Sequence, residues 1–290
     1  MDRFLGYGSG PPEETINRRR FIRTALGVGA LTQLSACNAM EERPKAAVPK
    51  KTYSPYKFSD EFDGPAGSAP DLSKWSYDIG GGGWGNGELE VYTSSRENSF
   101  LDGNGHLVIR ATKQIETHGN QTTTTYRSAR IKTLGKFSAY RGNFEARMKL
   151  DVQPGLWPAW WALGANFPQV GWPACGEVDM LENFGNSYVT TSIHTPDGSS
   201  ATFTSDGNVP VDNEWHVWRM LWSADTGGFA FFKDGVEYLN ILPSQLRNWV
   251  FSSGVPMFVV LNLAVGGLVG TPPESVKFPI DLLVDYVRIW

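Results

Sequence analysis

Residues 142 to 150, GNFEARMKL, alternate without a break: Phe144, Ala146, Met148 and Leu150 fall on one side, Glu145, Arg147 and Lys149 on the other. A period of two is what a half-buried β-strand requires, because successive side chains point to opposite faces of a sheet. WHVWRMLW, PMFVVLNLAV and LLVDYVRIW are further strand-length runs. FAFFKDGVEY (residues 229 to 238) sets Asp234-Gly235 between two β-favouring segments, a strong hairpin signal. No stretch from Phe58 onward has a convincing amphipathic helical period, and SQLRNWV (residues 244 to 250) offers one short helical turn. There is no internal repeat and no break in composition after Phe58. One antiparallel sandwich over residues 58 to 290 is therefore expected rather than two domains.

GEVDMLENFG, residues 176 to 185, puts three acids into what otherwise reads as a buried strand. On a regular strand Glu177 and Asp179 share one face, while Glu182 points the other way with Val178 and Met180. One extra residue taken up as a β-bulge between Asp179 and Glu182 slips the alternation by one and turns all three acids to the same side. The spacing predicts that bulge. Val178, Met180, Leu181 and Phe184 make this a poor solvated edge, where unpaired acids are costly. Two chemistries are left: oxygen ligands for a hard cation, or a glycosidase pair with one carboxylate ionised and one kept protonated. A flat row on a strand suits the second better than a wrapped ion.

Aromatic segments strengthen that reading. GGGWGNGELEVYT (residues 81 to 93) carries Trp84, Asn86 and Glu88, and GLWPAWWALG (residues 155 to 164) carries Trp157, Trp160 and Trp161. Flat rings beside hydrogen-bonding side chains make a carbohydrate cleft, and the chain has 11 Trp, 10 Tyr and 16 Phe with 32 Gly to build one. Core and cleft are equally open for Trp160, whereas Trp75, Trp215, Trp218 and Trp222 read as core. The glycines of the first segment do not form the GxxxxGK[ST] pattern of a phosphate loop.

The first 57 residues differ from the rest. NRRRFIRT (residues 17 to 24) precedes ALGVGALTQLSA (residues 25 to 36), an uncharged stretch far shorter than the roughly 20 residues a membrane span needs. Together they resemble a twin-arginine export signal. LSAC (residues 34 to 37) resembles a lipobox, which would make Cys37 a lipidated residue; residues 38 to 57 are polar, contain proline and read as a tether. Without residues 1 to 36, which hold five Arg and three acids, the chain has 21 basic and 27 acidic residues, a net of −6 that points away from nucleic acid. Cys175 is then the single cysteine after Cys37. It has no disulfide partner and no zinc-ligand spacing, and reads as a small buried apolar residue.

EVDMLE resembles the ExDxxE signature of glycoside hydrolase family sixteen, and the likeness runs over nearly all of residues 58 to 290. FSDEFDG, WGNGELEVYT, SARIKTLGKFSAYRGNFEARMKL, GLWPAWWALG, LNLAVGG and VDYVRIW are similar to its laminarinase-type members. The resemblance implies an all-β jelly roll of two curved antiparallel sheets with a concave substrate cleft, and a retaining endo-β-1,3-glucanase. It implies Glu177 as nucleophile, Glu182 as general acid/base and Asp179 as the acid between them, with His194 on the neighbouring strand. Trp157 and Trp161 would floor the central subsites, and Trp84, Asn86 and Glu88 would meet sugars further along. Catalysis would need no cofactor. A structural calcium on the convex face would use Glu61 and Asp285. Mixed-linkage glucanase, transglycosylase and a non-catalytic β-glucan-binding protein are the alternatives; both glutamates are present, which disfavours the last. The expected protein is a monomer, secreted or held at the cell envelope, touching membrane only through a lipid on Cys37.

Overall fold

The computed structural model describes residues 56 to 118, 120 to 196, 200 to 204 and 209 to 290. The export-like segment, Cys37 and all but the end of the tether lie outside the described residues. Two sheets pack face to face. In the ten-stranded sheet the order is Val236–Ile241, Phe229–Lys233, Trp215–Trp222, Gly142–Leu150, Ile280–Ile289, Leu107–His118, Gln121–Ser128 and Glu90–Tyr92. Phe58–Asp60 and Ser99–Leu101 add to its side. The seven-stranded sheet runs Ser200–Thr204, Thr190–His194, Glu177–Glu182, Leu156–Gly164, Met257–Val265, Arg130–Lys132 and Ser76–Asp78. This is the expected all-β jelly-roll sandwich, with one departure: Glu90–Tyr92 pairs parallel to Gln121–Ser128. No described helix is long and apolar enough to cross a membrane.

The alternation read from GNFEARMKL is the one observed. Phe144, Ala146 and Met148 are fully buried, while Glu145 and Arg147 reach the outer face. Asp234-Gly235 turns the hairpin between Phe229–Lys233 and Val236–Ile241. SQLRNWV contributes only the end of a 3₁₀ turn, Pro243–Gln245; its remainder is irregular, with Trp249 packed on Phe229 and Phe251 instead. Trp75, Trp218 and Trp222 fill the core as expected. Trp215 does not. It sits one register step outside the Trp218, Met220, Trp222 series, and its ring lies under the Arg147 guanidinium (4.8 Å) and beside His106.

The seven-stranded sheet owes its hydrophobicity on both sides to having two jobs. Leu156, Trp160 and Ala162 enter the main core, and the intervening Trp157 and Trp161 point to the opposite face. In the neighbouring strand Val259, Leu261 and Leu263 go inward, while Phe258, Asn262 and Ala264 go outward.

Candidate active site

The predicted bulge is present. Asp179 pairs with Ser192 and Glu182 with Thr190, so Met180 and Leu181 stand opposite Thr191 alone. On the other side Asp179 faces Trp161 and Leu181 faces Trp160, which leaves Met180 without a partner. A backbone group expelled from a ladder needs another partner. Tyr238, from the opposite sheet, donates its hydroxyl hydrogen to the Met180 carbonyl at 3.3 Å and lies 3.0 Å from Thr191 Oγ1. Gly176 sets the entry to the strand with φ +76°; a Cβ there would lie 2.7 Å from Val250.

Glu177, Asp179 and Glu182 consequently line one cleft of about 640 Å³ on the outer face of the seven-stranded sheet. Each has its own donors. The Trp172 indole N–H donates to Glu177 Oε2, and the Trp157 indole N–H donates to Glu182 Oε1 at 2.9 Å, with Ser192 Oγ at 3.4 Å from Oε2. His194 Nε2 is 3.1 Å from Asp179 Oδ2, and Glu177 stands beside Asp179 on the same cleft face. Asp179 is 3 % exposed and Glu182 8 %. Burial pushes all three carboxyls up. Asp179 is raised well above the usual carboxylate range, by burial and by the charges of Glu177 and Glu182 beside it. Glu182 is pushed up to about 7 by burial and then by Glu177. Glu177 is raised by burial, with His194, Asp179 and Trp172 opposing the rise.

These directions sort the protons. Three acids this close cannot all ionise. Asp179 keeps its proton and offers it to Glu177, which takes a second donor from Trp172 and is the carboxylate best supported as an anion. Glu182 keeps a proton up to about neutrality. An anion and a proton donor facing one cleft are the two groups a retaining glycosidase needs.

That assignment carries a stability consequence. The unfolded chain releases the Glu182 proton near 4.5 and the folded chain near 7, so between those values the unfolded state binds fewer protons and stability falls as pH rises. Glu182→Gln removes the cost of ionising that site. It should be more stable than the parent above pH 7 by roughly 1 to 3 kcal/mol, with the gap closing below pH 4.5. Thermal unfolding of both proteins from pH 4 to 8 checks this; a gap that widens in acid would reverse the assignment.

The remaining expected cleft residues are assembled too. Trp84, Asn86, Glu88, Trp157 and Trp161 all line the cleft. Trp157 shows little of its ring, packed edge-on against Phe184. Trp160 is wholly in the core. Cys175 is buried, its thiol pushed up to about 11, as befits an inert packing residue.

The calcium expectation fares differently. Glu61 accepts two hydrogen bonds from Arg288, at 2.9 and 2.7 Å, and Asp285 accepts one from Arg147 at 2.7 Å. A calcium ion wants six to eight oxygens, yet among the described residues no cluster of His, Cys, Asp or Glu is placed to hold a metal. As placed, Glu61 and Asp285 are each engaged by an arginine.

Several cleft residues had no signal in the sequence. Trp172 stands in an irregular segment where alternation predicts nothing. Arg130 is held between the rings of Trp84 (5.2 Å) and Trp161 (4.6 Å), its Nε 2.9 Å from Asp78. Asn262 accepts the Trp161 indole N–H at 2.7 Å. Arg130 and Asn262 gave no sign of these roles because their partners lie tens of residues away, and Trp172, only five residues from Glu177, has no period to place it.

Comparison with known proteins gives a consistent picture. Residues 89–281 match the family model for glycosyl hydrolases family 16. The chain is 35% identical over 252 residues to a β-glucanase of Rhodothermus marinus, covering 80% of this chain and 84% of that protein. It is 32% identical over 251 residues to a glucan endo-1,3-β-glucosidase of Cryptopygus antarcticus, covering 80% and 90%. Among solved structures it resembles the laminarinase catalytic domain of Thermotoga maritima, with a TM-score of 0.69, 36% identity, and coverage of 81% of this chain and 97% of that one.

Proposed function

The chain belongs to glycosyl hydrolases family 16, and from that premise we propose that it is a retaining endo-β-1,3-glucanase acting on laminarin-like β-glucans. The observation that carries this is the single bulge that turns Glu177, Asp179 and Glu182 to the cleft face, each with its own hydrogen-bonding partner. A glucan chain lies along the cleft. Protonated Glu182 gives its proton to the leaving glycosidic oxygen as a Glu177 oxygen attacks the anomeric carbon, and the shortened glucan departs with a new hydroxyl. The product is a covalent glycosyl-enzyme. Glu182, now ionised, takes a proton from water; the water oxygen attacks the same carbon, Glu177 leaves as a carboxylate, and the β configuration is retained.

Asp179 and His194 act through Glu177. The Asp179 proton stabilises the nucleophile's charge before attack and its release afterwards, and His194 fixes the orientation of Asp179. Export by the twin-arginine route, with Cys37 as a lipid anchor, suits a polysaccharide substrate that stays outside the cell. A monomer suffices, since every group named comes from one chain.

The test is reducing-end release by the purified protein from laminarin, curdlan, barley mixed-linkage glucan and agarose. Rapid release of short oligosaccharides from laminarin is the expected result. Preference for barley glucan would move the assignment to a mixed-linkage glucanase. Binding without release from any of them would make the protein a glucan-binding one.

A further inference from the structure

Beside the cleft is a second carboxyl pair for which the mechanism above has no use: Glu88, which lines the cleft, and the buried Glu90 two residues on. Glu90 is 1 % exposed; its Oε2 accepts the Val265 N–H at 2.6 Å, while its Oε1 is buried with no donor. Each oxygen of Glu88 has a donor, Asn86 Nδ2 to Oε1 at 2.9 Å and the Tyr92 hydroxyl to Oε2 at 3.1 Å. Glu88 and Glu90 are both buried while Leu89 between them is exposed, so the two carboxyls share one face of the extended segment; side by side and out of water, they can meet only with a proton between them. Glu88 already faces two donors and is the acceptor. The proton therefore belongs to Glu90, on the oxygen that otherwise has no partner. Beyond Glu88 the bonds continue: the Tyr92 oxygen accepts from Asn262 Nδ2 at 3.1 Å, and Asn262 Oδ1 accepts from the Trp161 indole at 2.7 Å.

We propose that Glu90 is a positioning residue, a neutral carboxyl that ties the glycine-rich loop to the end of Met257–Val265 and, through Glu88, Tyr92 and Asn262, holds Trp161 in place for glucan. The proposal rests on the glucanase reading and deepens it. Ionising Glu90 would set two carboxylates side by side out of water, and they must part. Glu88 then leaves Tyr92 and Asn86, and Asn262 no longer holds the Trp161 indole. Burial, followed by the neighbouring Glu88, pushes Glu90 up to about 8. The groups around it are few. Its own segment supplies Glu88 and Tyr92, and Gln121–Ser128 places Tyr126 opposite it in register. Arg130 acts on Tyr92 from the neighbouring sheet, and Met257–Val265 supplies only the neutral Asn262 in this network.

The expected signature is loss of glucan affinity between pH 7 and 9, separate from the loss of turnover as Glu182 ionises near 7. It is read in a Glu182→Gln background, which neither turns over nor titrates at that residue, as the dissociation constant of a laminarin oligosaccharide by calorimetry. Affinity should weaken about tenfold from pH 7 to 9, an effect the size of one charge-assisted hydrogen bond. Adding Glu90→Gln, whose amide can donate to Glu88 and accept from Val265 without titrating, should flatten that profile. Glu90→Leu should weaken binding at every pH. Identical profiles with and without Glu90→Gln would overturn the proposal. The proton is also read without sugar: the infrared carbonyl band of neutral carboxyls should lose one component in Glu90→Gln at pH 7. An unchanged band overturns the proposal even if no glucan binds, whereas failure to bind glucan with that component present condemns the substrate reading alone.

Discussion

Glu177→Gln is expected to lower kcat on laminarin by at least about 10⁴-fold, because the covalent step loses its nucleophile and no other anion faces the anomeric carbon. Oligosaccharide binding should survive, since the amide keeps the shape of the carboxylate and can still accept from Trp172. Azide then distinguishes the two glutamates on an aryl β-glucoside with an activated leaving group. In Glu177→Gly the azide enters where the nucleophile stood and gives the α-glycosyl azide. In Glu182→Gly it attacks the glycosyl-enzyme from the side of the missing acid/base and gives the β-glycosyl azide. Product stereochemistry by NMR is the measurement, and the reverse pattern would exchange the two roles. Full activity in Glu177→Gln would remove that residue from the chemistry altogether.

Trp160→Ala is expected to cost about 3 to 5 kcal/mol, the range for deleting a large aromatic from a packed core. Trp160 is fully buried and sits among Leu156, Ala162 and Val178 on the inner face. For a domain of this size such a loss lowers Tm by about 10 °C or more. Trp161→Ala should behave oppositely. It removes a cleft ring packed against Arg130 and bonded to Asn262, so KM should rise about tenfold with a much smaller change in Tm. Thermal unfolding and laminarin kinetics on the two variants form one test. Similar Tm losses for both would mean that the two neighbouring tryptophans share a role, contrary to their opposite faces.

Those neighbours mark how far a sequence can be read. That Trp160 and Trp161 differ follows from alternation; which of them meets the core depends on how the strand lies in its sheet, and the sequence leaves core and cleft equally open for Trp160. The same division appears on the outer strands. GNFEARMKL reveals its buried face because polar and apolar residues take turns, whereas WHVWRMLW hides the outward turn of Trp215, since tryptophan alone does not say which side it is on.

By itself the sequence determined the all-β class, the hairpin at Asp234-Gly235, and the bulge that brings Glu182 round to join Glu177 and Asp179. The reason is that the class and the bulge rest on a period of two residues, with apolar Val178, Met180 and Leu181 leaving three acids one common side to face, and the hairpin rests on the local turn preference of Asp-Gly. Tertiary structure decided the rest. Tyr238 reaches the Met180 carbonyl from the other sheet, Arg130 enters between Trp84 and Trp161, and Arg288 and Arg147 bond Glu61 and Asp285. Protonation belongs to this second class as well. A carboxyl's proton depends on burial and on charges brought near it by sheet order, and local periodicity encodes neither.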